Sequence, residues 1–246
     1  MPYSLQLALV AAWCFVVALA GGAVGLVLGN IRLPALLLVA SSPAAGAGAN
    51  IGISGVAAAT AGLVHVRAKR VDWRLFAWLT PPSIVGALVG GYVSGALPKD
   101  ALLGVIGVVL VLMAVDLARP RRSELPGRLR PAQLIALGGV IGVLGGIVGL
   151  ILGSLRLPTL LRFGEPLPLA VGTNMAVGFF VGAAGVLGHV SGGVDWALLT
   201  VGAGASIPGA LAGARLTGQL PERRLKHAVA AVLFVAGSVA IAEAVA

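Results

Sequence analysis

Charge is what this chain has least of. Charged residues fill 10% of its 246 positions, and only eight of them are acidic. A soluble domain carries about 25% charged residues, so the composition excludes one. Cys14 is the only cysteine, which excludes an internal disulfide and a thiolate metal cage. No acid recurs between matching apolar stretches, and Glu165, Asp116 and Glu243 lack repeat partners, so a carboxylate proton relay has no clear candidate. No nucleophile–base–acid set, metal-ligand spacing or phosphate loop is visible. The chain therefore reads as no enzyme, with no cofactor and no metal. Neither Lys nor Arg precedes the first apolar run, as one normally does in a signal peptide. That run reads as a first membrane segment that the mature protein keeps.

What is present is apolar. Hydrophobic residues are 59% of the chain, mean hydropathy is +1.04, and there are 37 glycines. Several stretches are long enough to cross a hydrocarbon core, which takes about 20 mostly apolar residues. The fold class is an all-α polytopic membrane protein, and the lipid bilayer is its first partner. The net charge of +9 does not mark a nucleic-acid binder. The basic residues sit in short loops between apolar spans, where they set topology.

The chain also repeats itself. Gly21 to Leu37 reads GGAVGLVLGNIRLPALL, and Gly145 to Leu161 reads GGIVGLILGSLRLPTLL, with twelve of 17 positions identical at an offset of 124. Asn50 falls on Asn174 and His65 on His189. After a one-residue slip, Asp72-Trp73 falls on Asp195-Trp196. Residues 1–118 thus form a first transmembrane repeat, 119–131 a polar linker, and 132–246 a second repeat. Each half carries four apolar stretches: Leu5–Gly29, Gly48–Val66, Trp73–Val93 and Ala101–Ala118, then Ala132–Gly153, Val171–Val190, Trp196–Leu216 and Leu225–Ala244. Between the first and second stretch of each half lies a shorter piece, Arg32–Pro43 or Arg156–Pro168. Each is too short to span and is bounded by glycine and proline, which interrupt a helical ladder. Non-helical backbone at membrane depth must be buried in protein or line a cavity. The pieces therefore read as broken or re-entrant helices facing the interior.

Basic residues favour an inverted arrangement of the halves. If the broken piece changes the crossing parity, 13 of the 17 basic residues lie inside and only Lys99 lies outside. Arg32, Arg156 and Arg162 fall within the broken pieces. Both termini then face outward, and the Arg-rich linker is cytoplasmic.

Arg32 and Arg156 are the sharpest chemical signal. An ionised group near mid-membrane costs at least about 2.5–3.5 kcal/mol and is a functional hypothesis by default. Its fork of donors suits a carboxylate, phosphate or sulfonate. A structural cap on a helix C-terminus is an equally weighted reading. Asn50 and Thr173-Asn174 are read at the starts of their long stretches, where a helix terminus and neutral donors suit an anion. N-capping is compatible with that role. His65 and His189 read as interfacial histidines near helix C-termini. Asp72 and Asp195, each before Trp, read as helix caps.

These blocks resemble a known family. The G-G-x-x-G…R-L-P segments, the Asn50 and Gly172-Thr173-Asn174 segments, the H…D-W pairs and the S-I-x-G-A-L-x-G blocks resemble the sulfite exporter TauE/SafE family of bacterial membrane permeases. The resemblance covers both halves and implies a multi-pass protein of the bacterial inner membrane. It implies transport of a small anionic substrate, sulfite or an organosulfonate. The expected mechanism is alternating access at the interface of two repeats. Arg32, Asn50, Arg156, Thr173 and Asn174 are the candidate substrate contacts. A passive anion channel and a non-transporting membrane binding or assembly protein are the competing readings. A homodimer is compatible with all of them.

Overall fold

The computed structural model describes residues 2–93, 104, 107–108, 110–112, 114–115, 118, 129–217 and 221–245. Residues 119–128 of the expected linker lie outside them. The described secondary structure is helical. Helix α1 spans Tyr3–Val24, α2 Gly29–Leu37, α3 Pro43–Arg67 and α4 Trp73–Tyr92. In the second half, α5 spans Pro131–Val148, α6 Gly153–Arg162, α7 Leu167–His189, α8 Trp196–Thr217 and α9 Glu222–Val245. Six of these, α1, α3, α4, α5, α7 and α8, are long and apolar enough to cross a membrane. The protein is an all-α polytopic membrane protein.

Its polarity is the reverse of a soluble domain. Leu9, Val85, Val140 and Leu187 are exposed, while Arg32, Asn50, Arg156 and Asn174 are buried. Trp73 and Trp196 are exposed at the first positions of α4 and α8, where aromatic side chains anchor a membrane interface. Just before them, Asp72 Oδ1 accepts from the N–H groups of Arg74 and Leu75, and Asp195 Oδ1 from that of Leu198. Both aspartates cap helices, as their positions suggest.

Contacts between helices fix their directions. Along α3, Gly48 packs on His189, Gly55 on Gly182 and Gly62 on Ala176, so α3 and α7 run antiparallel. Gly55 and Gly182 meet backbone to backbone, and a Cβ on Gly182 would collide with Gly55 Cα. Small residues of this kind let membrane helices approach closely. Gly209 of α8 packs on Phe15 and Leu19 of α1, and Thr217 Oγ1 donates to Gly22 O at 2.6 Å, so α1 and α8 run parallel. Gly86 and Gly90 of α4 pack on Gly142 and Gly146 of α5, again parallel. Gly52 and Ile53 of α3 meet Leu199 and Gly202 of α8. Helices α1, α3 and α8 therefore point one way, and α4, α5 and α7 the other.

Helix α2 explains how α1 and α3 point the same way. Gly29 packs on Asn50 and Ser54, while Leu37 packs on Gly46, so α2 runs back against α3. The two half-helices differ from the sequence expectation in one respect. They begin at Gly29 and Gly153 and run through Pro34 and Pro158 rather than breaking there. In a short helix a proline at the sixth position forfeits one ladder bond. The break lies upstream, at Gly25 and Gly149, both at φ 74°. This left-handed conformation is open to glycine at no steric cost.

Candidate anion-binding centre

Each half builds the same broken element. Helix α1 ends at Gly25, and the Leu26 N–H turns back to Gly21 O at 2.9 Å. Helix α5 ends at Gly149, and the Leu150 N–H reaches Gly145 O at 2.7 Å. This closure satisfies orphan carbonyls at a helix end. Three residues without helical bonding follow, and then the half-helix starts. Both half-helices thus place their N-termini inside the protein, where the first N–H groups of a helix lack intrahelical partners, although the Leu155 N–H is taken by Leu152 O at 3.1 Å.

The two asparagines tie the halves together crosswise. Asn50 Nδ2 donates to the carbonyl of Gly149 at 3.2 Å, and Asn174 Nδ2 donates to that of Gly25 at 3.1 Å. Each asparagine oxygen accepts from the arginine of its own half. Arg32 Nε lies 3.0 Å from Asn50 Oδ1, and Arg156 Nη1 lies 3.3 Å from Asn174 Oδ1. The structure therefore joins Arg32 to Asn50 and Arg156 to Asn174, each pair 18 residues apart. Both asparagines sit at the eighth position of α3 or α7, not at a helix start. The helices begin earlier because Pro43 and Pro166-Leu167-Pro168 favour helix entry rather than preventing it. Free N–H groups at this depth come from α2 and α6 instead.

The two arginines are not equivalent. Arg32 Nη2 also donates to Asn50 O at 3.0 Å and to Ser54 Oγ. Position 178, the repeat counterpart of Ser54, is glycine. Arg156 is wholly buried, and its Nε and Nη2 have no hydrogen-bond partner among the described residues. The hydrogen-bond partners described for both guanidinium groups are neutral. A buried charge left without a counter-charge is strongly unfavourable, by several kcal/mol per ion even after relaxation. Arg32 is therefore held by the protein, and Arg156 keeps donors free.

Thr173 does not join this cluster. Its Oγ1 accepts from the Asp72 N–H at 2.9 Å, so it ties α7 to the start of α4. Adjacent helical residues point about 100° apart, and Asn174 takes the inward direction. Both histidines lie in the last turns of their helices, as expected, and both are buried against the opposite half. His65 lies against Gly172 and His189 against Gly48, at matching places on the α3–α7 contact. His189 Nδ1 and Gly185 O are 2.9 Å apart. Both ring nitrogens of His65 are buried without a hydrogen-bond partner.

Two small cavities flank the centre. One, of about 10 Å³, is lined by Arg32, Leu26, Val27, Leu28 and Met175 among others. The other, also about 10 Å³, lies between the two unwound segments. Its lining includes Val27 and Asn30 from the first half and Leu150, Ile151, Leu152 and Ser154 from the second. Each is about the size of one water molecule.

The family model for the sulfite exporter TauE/SafE matches residues 10–240. The chain belongs to the sulfite exporter TauE/SafE family. Among curated proteins it is similar to the probable membrane transporter protein YjnA of Bacillus subtilis (strain 168). The two are 27% identical over 222 residues, covering 83% of this chain and 87% of that protein. It is also similar to the probable membrane transporter protein YunE of the same organism, 29% identical over 176 residues, 63% of each chain. No solved structure matches. The family is one of membrane transporters rather than enzymes, and this TauE/SafE member is a multi-pass membrane transporter.

Asn30 and Ser154 are the residues that the sequence reading of this TauE/SafE chain passed over. The signal was present: they are repeat counterparts, both polar, two places before the paired arginines. Asparagine facing serine reads as a mismatch until the structure shows both side chains lining one cavity.

Proposed function

We propose that this protein is a secondary transporter of small sulfur-containing oxyanions, sulfite or organosulfonates, in a bacterial inner membrane. It works by alternating access between two inverted halves. The antiparallel α3–α7 contact between repeat counterparts supports the inverted arrangement. The observation that carries the anion reading is the wholly buried Arg156 guanidinium, with two nitrogens unpartnered and a neutral amide as its neighbour. An anion with several acceptor oxygens matches that lining. A cation would meet weakly screened repulsion there. Neutral amides and sugars would leave donors of their own unsatisfied, at about 1–3 kcal/mol for each buried group. Arg156 is the principal anion contact. Arg32, Asn50 and Asn174 hold its surroundings in place, and Thr173 acts through the α7–α4 junction. Water-sized cavities at the centre correspond to a closed conformation, which must open to one side to admit the anion.

Uptake of radiolabelled sulfite into proteoliposomes, with and without a pH gradient, tests this reading. Saturable uptake, inhibited by organosulfonates and not by alkali cations, is expected. Flux proportional to concentration without saturation would identify a channel. Absence of flux would identify a binding or assembly protein.

A further inference from the structure

We propose that the cavity between Asn30 and Ser154 is an oxyanion subsite that seats one oxygen of the transported anion. The inference rests on the anion reading above and locates a second part of the same centre. Three independent observations converge on it. Asn30 and Ser154 are the second residues of α2 and α6, helices of nine and ten residues. Their first turns bring the positive ends of two helix dipoles to one cavity, one from each half. Asn30 is more than nine-tenths buried, and its Nδ2 has no hydrogen-bond partner among the described residues. An amide N–H₂ buried beside apolar Val27, Leu150 and Ile151 is costly unless an acceptor reaches it. Finally, the cavity volume of about 10 Å³ suits a single oxygen atom or water rather than a whole anion.

The chemistry selects an oxygen. The Asn30 amide, the Ser154 hydroxyl and the backbone N–H groups of these two residues can donate, whereas the next N–H of α6, that of Leu155, is already taken by Leu152 O. Carboxylates are absent from the described lining. Sulfite and sulfonates carry three equivalent oxygens, so one can enter this cavity while others meet a guanidinium. The donors come from opposite halves, so the subsite is complete only when α2 and α6 are together. Movement of the halves would dismantle it, which gives the anion a route to leave.

The test is sulfite binding to the purified full-length protein in nanodiscs, measured by calorimetry. Asn30→Ala and Ser154→Ala should each weaken sulfite binding by about tenfold, the scale of one charge-assisted hydrogen bond. Asn30→Asp should abolish it. The exchange Asn30→Ser with Ser154→Asn keeps both donor types across the cavity and should bind within about threefold of wild type. Arg156→Gln is the reference that tests the underlying anion reading. If Arg156→Gln loses sulfite while both alanine variants bind normally, the subsite is wrong and the anion reading stands. Wild type that fails to bind sulfite overturns both. Should Asn30→Asp not assemble, the alanine pair and the exchange decide the matter.

Discussion

The side-chain amide of Asn174 donates to the carbonyl of Gly25, 3.1 Å away and 149 residues earlier in the chain. The same side chain accepts from Arg156. One asparagine thus closes the broken end of α1 in one half and orients the guanidinium of the other. Asn50 does the same for Gly149 and Arg32. Replacing Asn174 with alanine removes both bonds and leaves a buried carbonyl and a buried donor unsatisfied. The expected loss is about 1–3 kcal/mol of stability, together with weakened anion binding. Thermal unfolding in detergent checks it, and an unchanged midpoint would show that the crosswise bond contributes little.

The asymmetry between the arginines is testable by restoring symmetry. Gly178→Ser would offer Arg156 the partner that Ser54 gives Arg32. A Cβ at 178 comes to 3.2 Å from Ala58 Cβ, a contact that needs a small adjustment. The variant should assemble normally and bind sulfite about tenfold more weakly, since a donor is now occupied. Affinity equal to wild type would mean that the free donors of Arg156 are not what the anion uses.

Helix directions make a topology prediction. The loop at Asp72 and Arg74 shares a cavity with Leu129 at the start of α5, whereas Asp195 meets Ser41 and Ala45 at the opposite end of α3. In a Cys14→Ala background, single cysteines at Ser123 and Ser191 should label from opposite sides of the membrane. Labelling of both from one side would contradict the inverted arrangement.

The α3–α7 crossing depends on missing side chains. Gly182→Ala places a methyl against Gly55 Cα and should cost about 1–3 kcal/mol through overpacking. Gly139→Ala meets open space and should be neutral within about 0.5 kcal/mol. Equal unfolding midpoints for the two variants would show that close backbone approach is not what holds the halves together.

Much of this architecture was legible in the sequence because a repeated motif constrains both halves at once. Six of the eight apolar stretches correspond to the six long helices, and the paired Arg-Leu-Pro segments pointed to the broken elements. The repeat matched Arg32 with Arg156 and Asn50 with Asn174, but the bond from each arginine to the asparagine of its own half is visible only in the structure. Other features depend on direction and depth, which a one-dimensional pattern does not encode. Thr173 and Asn174 are adjacent, yet one faces the α4 junction and the other the centre. His65 and His189 lie at helix C-terminal ends, but the opposite half covers both. The short pieces were expected to start at Arg32 and Arg156, but their helices begin three residues earlier, at Gly29 and Gly153, and carry Pro34 and Pro158 inside them. The difference in side-chain partners between Arg32 and Arg156 includes Ser54 against Gly178, a single substitution among many between the repeats. It gains meaning only when the hydrogen bonds of each guanidinium are followed.

The central claim is that the Arg156 guanidinium, with two of its nitrogens unpartnered, holds the oxyanion while Arg32 serves the fold. It is tested most directly by sulfite affinity and thermal stability measured together on Arg156→Gln and Arg32→Gln. Arg156→Gln should lose at least about tenfold in affinity, the scale of one charge-assisted bond. It should hold its unfolding midpoint, because relief of a buried charge without a counter-charge offsets the loss of its one bond to Asn174. Arg32→Gln should lower the midpoint by breaking the bonds to Asn50 and Ser54. Unchanged sulfite affinity in Arg156→Gln, with loss in Arg32→Gln alone, would contradict the assignment.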